Sequence, residues 1–134
     1  MRLVPVSAEN VKNIWPHVET FIKAGCAKGP GGLDPAELNV SCETKRHQLW
    51  LLLDDGKPVS AAITGIFDDG NERRAEWICF GAVSGVDWSE HMPAIEGWAK
   101  DMGCKAFRSY GRPGMQKRMP KGYRVRGIIF EKVL

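Results

Sequence analysis

The sequence predicts a single domain of mixed α/β (α+β) class, a mostly antiparallel sheet that contains one parallel strand pair and is flanked by helices. Three observations carry this prediction. Two turn sequences, Asp54-Asp55-Gly56-Lys57 and Asp68-Asp69-Gly70-Asn71, separate three apolar runs with the alternation of an antiparallel meander. A strongly amphipathic helical stretch then joins the third run to a fourth, and a strand, helix, strand connection of that length implies a right-handed parallel crossover. Finally, 134 residues without a repeat, a low-complexity segment or a long linker have room for one hydrophobic core, so residues 1–134 form one unit.

The elements follow in order. Arg2 to Val6 reads as a first strand. Ser7 can cap a helix in which Val11, Ile14, Trp15, Val18 and Ile22 share one face. Pro16 removes a backbone donor inside that pattern, which predicts either a kink or a helix beginning nearer Trp15. The glycine-rich segment Gly25 to Leu33 reads as loop, and Asp34-Pro35 opens a short second helix, with an N-cap followed by proline at the first helical position. Gln48 to Leu53 and Val59 to Phe67 form a hairpin, and Arg74 to Ala82 is the third antiparallel strand.

The next helix is marked by Trp88, His91, Met92, Ile95, Trp98, Ala99 and Met102 at spacings of three and four. Asp87 caps it, Glu90 completes an Asp-x-x-Glu box and Gly103 ends it. Cys104 to Tyr110 is the parallel strand. Pro113 to Lys121 is irregular or helical, and Tyr123 to Val133 is either one long strand or a pair broken at Gly127.

Charge is distributed unevenly. The net charge is +3, yet residues 1–104 hold 10 Lys/Arg against 15 Asp/Glu, and residues 105–134 hold 9 Lys/Arg against Glu131 alone. From Lys105 to Arg126 no acidic residue interrupts Lys105, Arg108, Arg112, Lys117, Arg118, Lys121, Arg124 and Arg126. This segment is either an anion-binding surface or a solvated basic face. The N-terminal residues lack the apolar run of a signal peptide, and no stretch approaches the ~20 apolar residues of a membrane span. The expectation is a cytoplasmic protein with reduced thiols at Cys26, Cys42, Cys79 and Cys104, whose spacing suggests neither a disulfide framework nor a zinc site.

Several short stretches sharpen the picture: Gln48-Leu49-Trp50-Leu51, Gly56-Lys57-Pro58-Val59-Ser60-Ala61-Ala62, Trp98-Ala99-Lys100-Asp101-Met102-Gly103-Cys104, Gly111-Arg112-Pro113-Gly114, Gly122-Tyr123 and Glu131-Lys132. Together with the element order they resemble the GNAT acetyltransferase superfamily, and in particular the divergent GNAT-like proteins encoded by phages and prophages. The resemblance implies an acetyl-CoA cleft where Arg74–Ala82 and Cys104–Tyr110 splay apart. It implies cofactor binding by Phe80, Gly81, Ala82, Val83, Ser84, Gly85 and Trp88, through backbone N–H groups and the following helix N-terminus, with Arg112 helping on the phosphates. This loop departs from the Arg/Gln-x-x-Gly-x-Gly/Ala pattern of active relatives, and Asp87 and Glu90 place carboxylates where the pyrophosphate would sit. The expectation is that the cap replaces the cofactor there.

The resemblance also implies a base and an acid. Glu76 is the candidate base, its other reading being an outward-facing strand carboxylate. Arg118 stands where the family's acidic tyrosine is usually found, leaving Tyr110 and Tyr123 as candidate acids or, more simply, packed aromatics. His17, His47 and His91 are far apart in sequence and predict no metal site. Two functions follow from the resemblance: an acetyl-CoA-dependent N-acetyltransferase acting on an amine, or a catalytically silent GNAT-like virion, assembly or interaction module. In the second case the basic C-terminal region would dock an acidic partner such as a phage structural protein. No groove-reading element predicts specific nucleic-acid recognition.

Overall fold

The computed structural model describes residues 1–29, 31–111 and 113–134. Strand β1 (Arg2–Val6) leads into helices α1 (Ala8–Lys28) and α2 (Pro35–Glu43), then strands β2 (His47–Asp54), β3 (Lys57–Asp68) and β4 (Arg73–Ala82). Helix α3 (Met92–Asp101) precedes strand β5 (Ala106–Arg108), and short 3-10 helices occupy Ser89–His91 and Pro113–Arg118. The sheet order is β1-β2-β3-β4-β5. The first four strands are antiparallel and β5 runs parallel to β4, as predicted.

Local chemistry explains each element. In the β2–β3 hairpin Asp54 pairs with Lys57. Asp55 and Gly56 both take positive φ, 49° and 76°, the signature of a two-residue turn that matches strand twist. Asp34 Oδ1 accepts from the Ala36 N–H at 3.0 Å and starts α2, with Pro35 in the first turn. Helix α3 closes with Gly103 at φ 85°, its N–H bonded to Lys100 O and the Cys104 N–H to Ala99 O, a Schellman arrangement.

Helix α1 differs from expectation in three ways. It begins at Ala8 rather than nearer Trp15 and includes Pro16, it continues past Gly25 to Lys28 where a loop was predicted, and the Ser7 side chain makes no capping bond. The extension past Gly25 follows from packing: a Cβ on that residue would lie 2.5 Å from the Phe80 carbonyl oxygen, so the glycine lets the helix lie directly on β4. Tertiary contact here outweighs glycine's poor helix propensity.

The core has two layers, one on each face of the sheet. On one face Val11, Trp15, Val18 and Ile22 of α1, with Leu38 and Cys42 of α2, pack on Leu49, Leu51, Ile63 and Cys79. On the other, Ile95 of α3 and Trp88 cover Trp50, Leu52 and Ala62, with Trp77, Trp98 and Phe107 at the margin. The aromatic rings meet edge to face, Trp77 on Trp88 at 5.4 Å and on Phe107 at 5.9 Å, the arrangement favoured by their quadrupoles. Within this core Trp50 Nε1 donates to Thr64 Oγ1, and Trp88 Nε1 donates to Ser60 Oγ, which donates to Gly81 O. The four cysteines are free thiols, Cys42 and Cys79 buried.

The C-terminal expectation is not met. Residues 123–134 adopt no regular structure, and β5 is limited to three residues rather than Cys104–Tyr110. A strand needs a neighbour for its backbone groups, and none pairs with this segment among the described residues.

Candidate functional site

The relevant geometry lies where β4 and β5 part. Only Arg74, Ala75 and Glu76 pair with Ala106, Phe107 and Arg108. Beyond Glu76, β4 continues to Ala82 with β3 on one side and no partner on the other among the described residues. The outer half of β4, the loop that follows it and the chain leaving β5 therefore frame an opening.

Glu76 stands at the root of this opening, buried rather than facing outward. Arg74 and Glu76 are two residues apart on one strand and so share a face. The Arg74 Nε donates to Glu76 Oε2 at 3.0 Å, its Nη1 to Asp69, and the guanidinium lies 5.5 Å over the Phe67 ring. Glu76 is thus engaged by an arginine that sequence inspection passed over, although the alternating Arg-x-Glu spacing carried the signal. Across the strands, Arg108 Nη2 is 3.8 Å from Glu72, while its Nε is buried with no hydrogen-bond partner among the described residues.

The loop after β4 is already committed to internal contacts. Phe80 is exposed and packs against Trp77. Gly81 is buried, and a Cβ there would lie 2.0 Å from the Phe21 carbonyl oxygen, so this glycine serves the α1–β4 contact. Ala82, Val83, Ser84 and Gly85 are exposed, Gly85 with φ 85°. The Val83 N–H bonds Val59 O. Trp88 is core, bonded through Nε1 to Ser60. Arg112 lies outside the described residues.

The helix that follows also differs from the predicted one. It starts at Met92, after the Ser89–His91 turn, and Pro93 in its first turn has no N–H to offer. Asp87 Oδ1 accepts from the Ser89 N–H at 2.9 Å and Ser89 Oγ at 2.7 Å, and these bonds hold its carboxyl below the usual range. Glu90 does not complete the predicted box; its carboxylate lies 3.3 Å from His91 Nε2 instead. A pyrophosphate at this helix start would meet the Asp87 carboxylate and few free donors, so these residues do not fit it.

The two tyrosines are differently placed. Tyr110 is exposed just beyond β5. The Tyr123 hydroxyl donates to Glu96 Oε2 on α3 at 2.5 Å, and burial together with that carboxylate pushes its pKa up. Two cavities lie elsewhere. One of 380 Å³ sits at the start of β2, lined by Glu9, Lys45, His47, Gly65 and Trp98 among others, and one of 570 Å³ lies along α2. Among the described residues no group of three or more acidic, His or Cys side chains could hold a metal, and no helix is long and apolar enough to cross a membrane.

No family model and no curated protein matches the sequence. The fold, in contrast, is shared with solved acetyltransferases. An aminoglycoside acetyltransferase from an uncultured soil metagenomic sample, solved with sisomicin, superposes with a TM-score of 0.72 at 8% identity, covering 99% of this chain and 95% of that one. A GNAT family acetyltransferase of Staphylococcus aureus gives 0.63 at 12% identity over 100% of both chains. The ribosomal-protein-alanine N-acetyltransferase of Brucella melitensis biovar Abortus gives 0.63 at 9% identity, covering 97% of this chain and 100% of that one. The chain has the GNAT fold, with its mostly antiparallel sheet and parallel β4–β5 pair.

Proposed function

We propose that this protein is an acetyl-CoA-dependent N-acetyltransferase acting on a small amine, of the divergent kind encoded by phages and prophages, with a degenerate pyrophosphate loop. The observation that carries the reading is the parting of β4 and β5 after three paired residues, in a sheet shared over nearly its full length with N-acetyltransferases. Bound there, the cofactor would supply an activated acetyl thioester. Because the α3 start does not fit phosphates, their charge would be met by the basic residues from the end of β5 onward, first by Arg108.

This chain's residues take defined parts in that reading. Glu76 would receive the substrate ammonium in place of the Arg74 guanidinium, holding the amine at the opening and accepting its proton. Tyr110, exposed beside the opening, would donate to the departing thiolate; Tyr123, its proton held by Glu96, is the poorer acid. Isothermal titration with acetyl-CoA at low salt tests the proposal. Saturable micromolar binding supports it, and an absence of binding up to millimolar concentration overturns it.

A second reading has its own support. The Asp87–Ser89 turn, the occupied Glu76 and the aromatic contacts of Trp77 with Phe80 and Phe107 are those of a filled scaffold. They favour a silent interaction module, in the cytoplasm or in a virion, whose basic C-terminal region docks an acidic protein.

A further inference from the structure

Three of the four cysteines meet on the face of the sheet that carries α1 and α2. Cys42 of α2 and Cys79 of β4 belong to the buried core there, and Cys26 of α1 packs against it while keeping part of its surface in water. Cys104 lies between α3 and β5. No role in the acetyltransferase reading falls to any of them.

Two glycines bring a helix thiol to a strand thiol. Gly25 lets α1 approach the Phe80 carbonyl, and Gly81 lets β4 approach the Phe21 carbonyl, where a Cβ would come to 2.5 Å and 2.0 Å respectively. Cys26 follows Gly25 and Cys79 precedes Phe80, so both thiols stand where the helix and strand backbones touch. A disulfide needs α-carbons roughly 4.4–6.8 Å apart, a separation that intervening side chains prevent and backbone contact permits. The two thiols also act on each other. Burial raises the pKa of both; their interaction then draws Cys26 part of the way back and lifts Cys79 further, as it must if the Cys79 S–H points at the Cys26 sulfur. Cys42 has Ser41 beside its thiol instead.

We infer that Cys26 and Cys79 form a thiol oxidation site, converted by hydrogen peroxide into a disulfide that fastens α1 to β4. Cys26 is the sulfur that an oxidant in water reaches first, since Cys79 is buried. Its thiolate attacks one peroxide oxygen: the S–O bond forms, the O–O bond breaks, and the hydroxide that leaves takes up the proton Cys26 released. The Cys79 sulfur then attacks the Cys26 sulfur of the sulfenic acid. The S–S bond forms, the S–O bond breaks, and the departing hydroxide leaves as water with the proton that Cys79 gives up. The two thiols lose two electrons, and the peroxide is reduced to two molecules of water. Burial keeps the Cys26 thiolate scarce near neutrality, so the reaction quickens as pH rises. The inference is independent of the acetyltransferase reading.

Peptide mapping of the full chain after exposure to hydrogen peroxide at pH 8 tests it. The expected product is a single chain two hydrogens lighter, with its Cys26 and Cys79 peptides joined, formed faster at pH 9 than at pH 7 and reversed by dithiothreitol. Its urea midpoint should lie above that of the reduced chain, because the bond restrains the unfolded state over a long loop. Cys79→Ser should leave Cys26 as a sulfenic acid that dimedone captures, whereas Cys42→Ser and Cys104→Ser should form the bond as the unaltered chain does. Mapping of the unaltered chain decides the matter even where a variant does not fold. A bond that joins any other pair, links two chains or forms only in urea overturns the inference. Thiols that all stay reduced, Cys26 carried on to sulfinic acid with Cys79 still free, or an oxidised form less stable than the reduced one overturn it equally.

Discussion

The α-carbon of Gly81 in β4 faces the carbonyl oxygen of Phe21 in α1 so closely that a Cβ would come to 2.0 Å from it. Gly25 and the Phe80 carbonyl repeat the contact one helical turn along, at 2.5 Å. Both obstacles are backbone, which cannot rotate away. Gly81→Ala and Gly25→Ala are therefore each expected to destabilise the fold by about 3 kcal/mol or to prevent folding, the upper range for overpacking. Urea denaturation checks this, with Gly97→Ala in α3, where a Cβ meets nothing, as the control, expected to gain up to about 1 kcal/mol from helix propensity.

Ser60 links the sheet to the approach of α3. It is fully buried, accepts from Trp88 Nε1 and donates to Gly81 O. Ser60→Ala leaves one donor and one acceptor unpaired in the core, and the expected cost is about 2 kcal/mol. Ser60→Thr keeps the hydroxyl and separates hydrogen bonding from size in the same denaturation experiment.

The thiols confer a pH dependence. Burial pushes the Cys42 thiol from an ordinary 9.0 up to about 12, and burial with the Cys26 thiol beside it pushes Cys79 up further. The folded state keeps these protons while the unfolded chain loses them. The associated stability is full below pH 9 and is lost as pH rises toward the folded values, at up to about 1.4 kcal/mol per pH unit for each group. Denaturation midpoints at pH 8, 9 and 10 should show the decline beginning near 9 and weakening in Cys42→Ala, measured against that variant's own pH 8 value.

Arg108 offers a direct test of the cofactor reading. If its partly satisfied guanidinium meets a phosphate, Arg108→Ala should weaken acetyl-CoA binding about tenfold, a loss of ~1.4 kcal/mol, and reduce its salt sensitivity. Unchanged affinity and salt slope would remove Arg108 from the site. Tyr110→Phe should lower turnover while leaving acetyl-CoA affinity intact, the pattern of a group used only as the thiolate departs.

Much of the architecture was legible in the sequence because its signals are local. The Asp55-Gly56 turn, the Asp34-Pro35 helix start and the Gly103 stop are decided within a few residues, and the structure places them as read. The failures concern residues whose role is set by a distant partner. Gly25 looked like a loop residue and Gly81 like part of a phosphate loop until each was seen against the other element's backbone. Glu76 looked like an outward carboxylate because alternation was read for burial alone and not for the charged partner, Arg74, that it sets on the same face. The tail carries strand-forming residues, but strand formation depends on a partner edge, and among the described residues none pairs with it.

The sheet order also bears on synthesis. Spatial order equals chain order from β1 to β5, so every strand finds its neighbour already made when it appears. A nascent chain released from the ribosome tunnel as far as Ala82 already holds four strands and both helices of one core layer, the close contact between α1 and β4 included. The parallel strand and the opening beside it come last, added to a platform assembled without them. Changes in the segment after Ala82 should therefore alter what the protein binds more readily than whether it folds, which is where variation among related chains would be least costly.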